Sequence, residues 1–370
     1  MPRPTGERRD RPTMHDVAER SGVSLKSVSR VINDESGASP QTRTRVWTAI
    51  RELGYQRNDT AHVLRRRDGR SACLGVVLDD VGNTFAAAIH SGVQEVANTH
   101  RCLVLAASTH GDPDVERQLV YRLLGRRVDG LVIMSARTDH TYLTGELERG
   151  VPIVFVDRPA RGIRASSVVA ANRAATREAV EHLIAHGHRR IAFLSDWPTL
   201  YTTAQRHRGY LDAHHAHKLP VQRDLHRSGL VDAASTQHAL STLLTGQDPP
   251  TALFAANNHT CVRVLHALHR SGLMGTVALI GFDDIECAEL LNPPVSVLRQ
   301  DPAAMGRLAA ETIFAQLAGQ QPARQQLHIP VTLVPRGSGE LAGPTTLINR
   351  PRHTDHLPSR ATPAFRVTQP

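Results

Sequence analysis

Cysteine is scarce in this chain of 370 residues. Cys73, Cys102, Cys261 and Cys287 lie far apart and form no CxxC pair, and three of them sit in or beside apolar runs. They read as small buried hydrophobes of a reducing compartment. Long apolar runs are missing too, since none reaches the ~18 residues of a membrane-spanning helix. The opening MPRPTGERRDRP has basic residues with no apolar stretch behind them, so no secretory signal is indicated and a cytoplasmic protein is expected. Lysine is nearly absent. Lys26 and Lys218 are the only two, and neither stands in GxxxxGK(S/T), which excludes a P-loop. No GxGxxG follows a strand and no GxSxG elbow occurs, so dinucleotide and α/β-hydrolase chemistry lack their signatures. The histidines of AHHAHK, namely His214, His215 and His217, have spacings without a clear tetrahedral partner set. No catalytic residue, cofactor or metal is expected, and no membrane partner.

What is present suits a globular protein of two or three domains. Hydrophobic residues make up 40% and charged residues 21%, enough to bury real cores. The formal charge of +9 is concentrated at one end. Residues 1–67 hold 14 Lys/Arg against 8 Asp/Glu, a net of +6, and the remaining 303 residues supply only +3. A basic end of this kind is the electrostatic footprint of a polyanion-binding module; a solvated tail is the alternative on charge alone.

Residues 1–12 have no periodicity and read as a flexible basic arm. Three helical signals follow within 13–57. Thr13 is a candidate N-cap with Asp16 three positions on, and Gly22 suits the left-handed end of that helix. Ser24 opens a second helix, VSLKSVSRVIN, in which Leu25, Val28, Val31 and Ile32 gather on one side and Lys26, Arg30 and Asn33 on the other. Ser39-Pro40 opens a third, ended by Gly54. Two short helices around a Gly turn, covered by a third, make a helix-turn-helix. From Cys73 the pattern becomes CLGVVL, CLVLAA, GLVIMS, PIVFVD, RIAFLSD, TALFAAN and VALIGFD, separated by amphipathic helices such as 174–185 and 303–317. Continuous apolar strands between helices indicate parallel sheets covered on both faces, here a two-lobed α/β core over 71–338. Ligands bind such sheets beyond the strands' carboxyl ends, where Asp157, Asp196, Asn257 and Asp283 fall. Residues 339–370, rich in Pro, Thr and Arg, are expected to be a disordered tail.

PTMHDVAERSGVSLKSVSRVIN followed by VWTAIRELGYQRN resembles the LacI/GalR family of bacterial transcription regulators. The family pattern T-x-x-D-V-A-x-x-A-G-V-S-x-x-T-V-S-R-V-L-N is kept, with Ser21 for Ala, Ser27 for Thr and Ile32 for Leu. The likeness continues through LGVVLDDVGNTFAAAIHSGVQEVA, VPIVFVDRP, HLIAHGHRRIAFLSD, QRHRGYLDA and LIGFDDIECAELLNPPVSVLRQ. It implies an N-terminal all-α module joined to a periplasmic-binding-protein-like core. It also implies a homodimer on a near-palindromic double-stranded DNA operator and a small-molecule effector, a sugar or sugar derivative, between the lobes. The second helix would enter the major groove. Lys26 and Arg30 suit guanine or phosphate, Ser24, Ser27 and Ser29 suit phosphate oxygens, Asn33 and Thr13 position, and Leu25 offers apolar contact to a base.

The segment YQRNDTAHVLRRRDG, 58–70 with its flank, matches the family hinge Y-x-P-N-x-x-A-R-x-L. Asn58 and Ala61 match, and Leu64 stands where the family pries a minor-groove base step apart. Arg57 replaces the Pro and His62 the Arg, so a plain basic linker stays open as an alternative. In the core, Asn83 and Phe85 stand where the family has N-P-F, Arg206 matches an arginine that forks onto ligand oxygens, and Asp157 and Asp283 sit near the cleft with either a binding or a structural role. Asn258 replaces a carboxylate that commonly grips a sugar, and Ala171 removes a second Asp. A cleft with fewer carboxylates is expected to prefer an acidic or phosphorylated ligand, or to bind weakly. A ligand-independent regulator with a degenerate site and a carbohydrate-active enzyme are the alternatives.

Overall fold

A computed structural model of the chain describes residues 12–56, 70–320 and 326–344. Three short helices come first: α1 (Met14–Ser21), α2 (Leu25–Ile32) and α3 (Pro40–Leu53). Each start is capped by a hydroxyl oxygen that accepts an otherwise free backbone N–H. Thr13 closes a capping box with Asp16, Ser24 accepts from the Ser27 amide, and Ser39 accepts from the Thr42 amide ahead of Pro40. Gly22 and Gly54 end α1 and α3 in the left-handed conformation. Val17, Val28, Val31, Val46 and Ala49 are buried where the three helices meet. Leu25 is left out of this core, 39% exposed, which frees it from the apolar stripe to which periodicity alone assigns it.

The first lobe is built from β1 (Cys73–Leu78), α4 (Thr84–Thr99), β2 (Leu103–Ser108), α5 (Pro113–Gly125), β3 (Gly130–Ile133), α6 (Thr144–Glu148), β4 (Ile153–Val156) and β5 (Ser166–Ala170). The chain then crosses at Ala171 into the second lobe. This holds α7 (Asn172–Ala185), β6 (Ile191–Leu194), α8 (Tyr201–Ala216), β7 (His226–Arg227), α9 (Ala233–Leu244), β8 (Ala252–Ala255), α10 (Asn258–Arg270), β9 (Ala278–Phe282) and β10 (Ser296–Gln300). A second crossing at Asp301 returns it to the first lobe for α11 (Pro302–Leu317) and β11 (Gln326–Ile329), and a third at Pro330 leads to β12 (Val331–Val334). The sheets run β11-β5-β4-β3-β1-β2 and β12-β10-β9-β8-β6-β7. The first lobe's backbone closes tightly, because a Cβ at Gly92 would lie 2.0 Å from the Ala303 carbonyl oxygen and one at Gly306 would lie 2.1 Å from that of Ile89. Only glycine lets α4 and α11 approach so closely.

Two expectations are corrected. The second sheet is not wholly parallel, since β12 runs antiparallel to β10. The reason is topological. β11 runs parallel to β5 and leaves the first lobe at the cleft side, and one residue later the chain enters the second lobe from its own cleft side. It must therefore run against the strands it joins. Nor does order end at Ser338. The Glu340 carboxylate accepts from Ser296 Oγ at 2.7 Å and lies 2.7 Å from His182 Nε2; the Leu341 carbonyl is 2.9 Å from His188 Nε2, and the Gly343 amide donates to the His186 carbonyl at 2.8 Å. Low hydrophobicity hid this segment because hydrogen bonds to remote residues, with the packing of Leu341 alone against the second lobe's core, attach it. The rest of the expected tail, and the hinge residues Asn58, Ala61 and Leu64, lie outside the described residues.

Candidate DNA-reading face and interlobe cleft

The cations of the helical module divide into two groups. Arg20 pairs with Glu52 at 2.7 Å, Arg43 pairs with Asp34 at 2.5 Å, and Arg45 donates to the Gly22 carbonyl at 3.0 Å. Arg43 holds the Asp34 carboxyl below the usual carboxylate range. Lys26 and Arg30, on α2, make no hydrogen bond or ion pair among the described residues. They stand one turn apart on one face, with Leu25 and Ser29 beside them. The polar side chains expected to touch DNA are held locally. Ser24 Oγ lies 2.9 Å from Ser27 Oγ, and Asn33 Nδ2 donates to Ser29 Oγ at 3.4 Å and to Glu35 Oε1 at 3.2 Å. Thr13 is occupied in the α1 capping box, its hydroxyl 2.8 Å from Asp16 Oδ2.

The second site lies between the facing sheet ends. Asp157 follows β4 and Asp283 follows β9, both in the left-handed region with φ of 65° and 69°. Each amide donates at 2.9 Å to the next strand, Asp157 to the Val168 carbonyl and Asp283 to the Leu298 carbonyl. The two lobes thus present equivalent carboxylates across the cleft. Arg158 donates to the Ser135 carbonyl at 2.7 Å and reaches Asp79 at 3.4 Å and Asp157 at 3.5 Å. Arg206, from α8, is buried. Its Nε donates to Asn172 Oδ1 at 2.7 Å, its Nη1 donates to the Ala256 carbonyl at 2.6 Å and lies 3.9 Å from Asp283, and its guanidinium carbon stands 3.5 Å over the Phe282 ring. Burial pushes the Asp157 and Asp283 carboxyls up from their ordinary range, against the pull of Arg158 and Arg206, and pushes Arg206 down.

The expected shortage of carboxylates does not hold in three dimensions. Asp196 accepts from Asn257 Nδ2 at 2.7 Å and from Thr203 Oγ1 at 3.2 Å, and Asp157 feels the charges of both Asp79 and Asp196. Four carboxyl groups and two guanidinium groups therefore share the cleft, with burial opposing the charged forms of Asp157, Asp283 and Arg206. A neighbouring cavity of about 390 Å³ is lined by Phe85, Asp283, Arg299 and Gln300 among others. Gln300 donates to Asp283 Oδ1 at 2.6 Å, while its own Oε1 is buried with no hydrogen-bond partner, as is Ser195 Oγ at the end of β6. Buried polar atoms left unpaired are costly, so orphans at a cleft mark where a ligand or water completes the set. Asn83 and Asn258 are bonded to one another instead, Asn258 Nδ2 donating to Asn83 Oδ1 at 3.0 Å. Sequence reasoning missed Arg158, Ser195, Gln300, Asp79 and His259. The position of Asp79, Arg158, Ser195 and Gln300 at the carboxyl ends of strands was the available signal; nothing local marks His259.

One constellation looks catalytic and is not built for it. Ser135, His140 and Glu116 are buried together in the first lobe. The Arg161 amide donates to His140 Nδ1 at 2.8 Å, so the neutral ring carries its proton on Nε2, 2.9 Å from Ser135 Oγ. Ser135 then gives its proton to Glu116, at 2.8 Å. The chain of bonds runs away from the histidine, opposite to an activated serine nucleophile. His214 is buried with Nδ1 2.9 Å from the Tyr210 carbonyl, whereas His215 and His217 are exposed; among the described residues no three His, Cys, Asp or Glu side chains group as metal ligands. Among the same residues no helix is long and apolar enough to cross a membrane.

A capped helix-turn-helix module joined to a two-lobed core with a polar cleft defines a transcription regulator of the periplasmic-binding-protein-like type. Comparison with known proteins bears on this directly. Residues 13–58 match the family described as bacterial regulatory proteins, lacI family, and residues 180–339 match the periplasmic binding protein-like domain. The HTH-type transcriptional regulator GalR of Salmonella typhimurium is 30% identical over 348 residues, 93% of this chain and 98% of that protein. Among solved structures, the lac repressor dimer bound to operator and the anti-inducer ONPF superposes with a TM-score of 0.76 at 28% identity, covering 90% of this chain and 99% of that one. The CelR–cellobiose complex gives 0.64 at 30% identity, covering 89% and 100%. The chain belongs to the LacI family of bacterial regulatory proteins, and it is a DNA-binding transcription regulator.

Proposed function

We propose that this regulator binds a near-palindromic operator as a cytoplasmic homodimer and that a neutral sugar or sugar derivative, held between its lobes, modulates the affinity. The observation that carries the effector reading is the buried Arg206–Asp283–Gln300 set with its orphan Gln300 Oε1. A hydroxyl-rich ligand supplies the donors that Gln300 and the carboxylates lack and the acceptors that Arg206 prefers. Lys26, Arg30 and Leu25 read the bases, while Ser24, Ser27, Ser29, Asn33 and Thr13 hold the backbone, with Asn58, Ala61 and Leu64 at the minor groove. The dimer reading is supported by the edge strand β2, where Leu103 is 65% and Leu105 38% exposed, with Tyr121 exposed on the neighbouring α5. Apolar side chains on an unpaired edge favour a covering partner, and a two-fold dimer requires matching half-sites. No enzymatic step is assigned.

Selection of binding sites from random duplex DNA tests the operator reading. A near-palindrome is expected, with log affinity falling against log salt along a slope of several units; a flat salt dependence overturns it. For the effector, titration calorimetry is expected to show heat with neutral sugars and none with their phosphates. Tight phosphate binding without neutral-sugar binding rejects that ligand class.

A further inference from the structure

We infer that Asn83, Asn258 and His259 form an interlobe latch made of protein groups alone, and that the amide at position 258 is what makes it possible. Asn83 caps α4 in the first lobe, and Asn258 and His259 open α10 in the second. The orientations follow from backbone donors. The Phe85 amide donates to Asn83 Oδ1 at 2.8 Å and the His259 amide donates to Asn258 Oδ1 at 2.8 Å, which fixes the oxygen end of each carboxamide. Asn258 Nδ2 therefore donates across the cleft to Asn83 Oδ1 at 3.0 Å. Asn83 Nδ2, which only donates, stands 2.6 Å from His259 Nε2, so that ring nitrogen is the bare acceptor. Two hydrogen bonds thus tie the lobes together outside the three backbone crossings.

A carboxylate at position 258 has no proton to give Asn83 Oδ1 and would set two acceptors against each other. The departure from the family pattern at this position therefore changes its job, from gripping a ligand to gripping the opposite lobe. Closure then rests partly on the protein, and the effector needs less differential affinity to complete it. The inference rests on the proposed effector reading only for that regulatory consequence; the latch itself is a property of the closed core.

Hydrogen–deuterium exchange of the full-length protein tests it. Asn258→Asp, nearly isosteric, and His259→Lys, which only donates, are each expected to speed exchange at residues 83–89 and 258–264 about three- to tenfold, as loss of one or two ordinary hydrogen bonds implies. His259→Gln, which keeps an acceptor at similar reach, is expected to stay within about twofold of the parent. Unchanged exchange in Asn258→Asp overturns the latch. Acceleration in His259→Gln equal to that in His259→Lys overturns the acceptor role of His259. Unaltered exchange in β1 and β9 shows that the fold is intact, and the His259 pair, exposed and away from the core, decides the matter if Asn258→Asp fails to fold. Calorimetry with and without sugars then reads the effector separately, so loss of one reading leaves the other standing.

Discussion

The reading helix and the interlobe cleft treat charge in opposite ways. On α2, the exposed Lys26 and the half-buried Arg30 stay unpaired among the described residues while the neighbouring arginines are tied to Glu52, Asp34 and the Gly22 carbonyl. In the cleft, Arg206 and Asp283 are buried and engaged with one another and with Asn172, Ala256 and Gln300, and the buried Asp157 is engaged with Arg158. An exposed cation has little cost and is available to a polyanion; a buried one has a large desolvation cost and is kept by its partners. The first arrangement suits a partner that brings its own charge, and the second suits a small ligand that completes a hydrogen-bond set.

That contrast makes removal of Arg206 the most damaging change. Arg206→Ala strands Asp283 without its cation, while Asp157 keeps Arg158, and is expected to cost about 3–5 kcal/mol of stability, read by urea unfolding. A loss below 1 kcal/mol places the cleft charges in solvent-like surroundings and erases the contrast. Arg30→Ala is expected to do the reverse, weakening operator binding by about 1–3 kcal/mol in a titration while leaving the melting temperature unchanged. Ending the chain after Ser338 removes the Glu340 carboxylate from Ser296 and His182 and is expected to cost about 1–3 kcal/mol, whereas a chain ending at residue 344 keeps those bonds. Equal stability of the two truncations refutes the extended core boundary.

The smallest effect concerns acid. Burial holds the His140 imidazole down to about 4, against an ordinary 6.5. The unfolded chain therefore binds this proton more tightly than the folded one. The contribution of His140 is fully present above pH 6.5 and is lost as pH falls from there toward 4. Thermal unfolding at pH 7 and pH 5 is expected to show a slope that His140→Gln flattens. An unchanged slope means that other groups carry the acid sensitivity.

The helical module was legible almost residue by residue. Thr13, Ser24 and Ser39 cap the helices that their positions indicate, and Gly22 and Gly54 stop two of them, because capping is a matter of three or four neighbouring residues. The strands were legible as apolar runs, and the positions of Asp157, Asp196 and Asp283 at their ends followed from that. Less legible was the charge balance of the cleft. Counting carboxylates at positions 171 and 258 alone left out Asp79, and it did not weigh Asp196, already placed at a strand end, against the cations it meets. Leu25 shows the same limit on a smaller scale, since its helical phase places it near the apolar stripe and only the packing of α1 and α3 leaves it outside.

The sequence by itself determined the helix-turn-helix, the alternation of strands and helices, and the family, because periodicity, caps and motif spacing act over a few turns of chain. The tertiary structure alone decided the direction of β12, the attachment of residues 339–344 and the mutual grip of Asn83 and Asn258. Each depends on segments remote in sequence that meet only after three crossings of the chain. Hydrogen-bond partners and desolvation are properties of that meeting, and no local pattern encodes them.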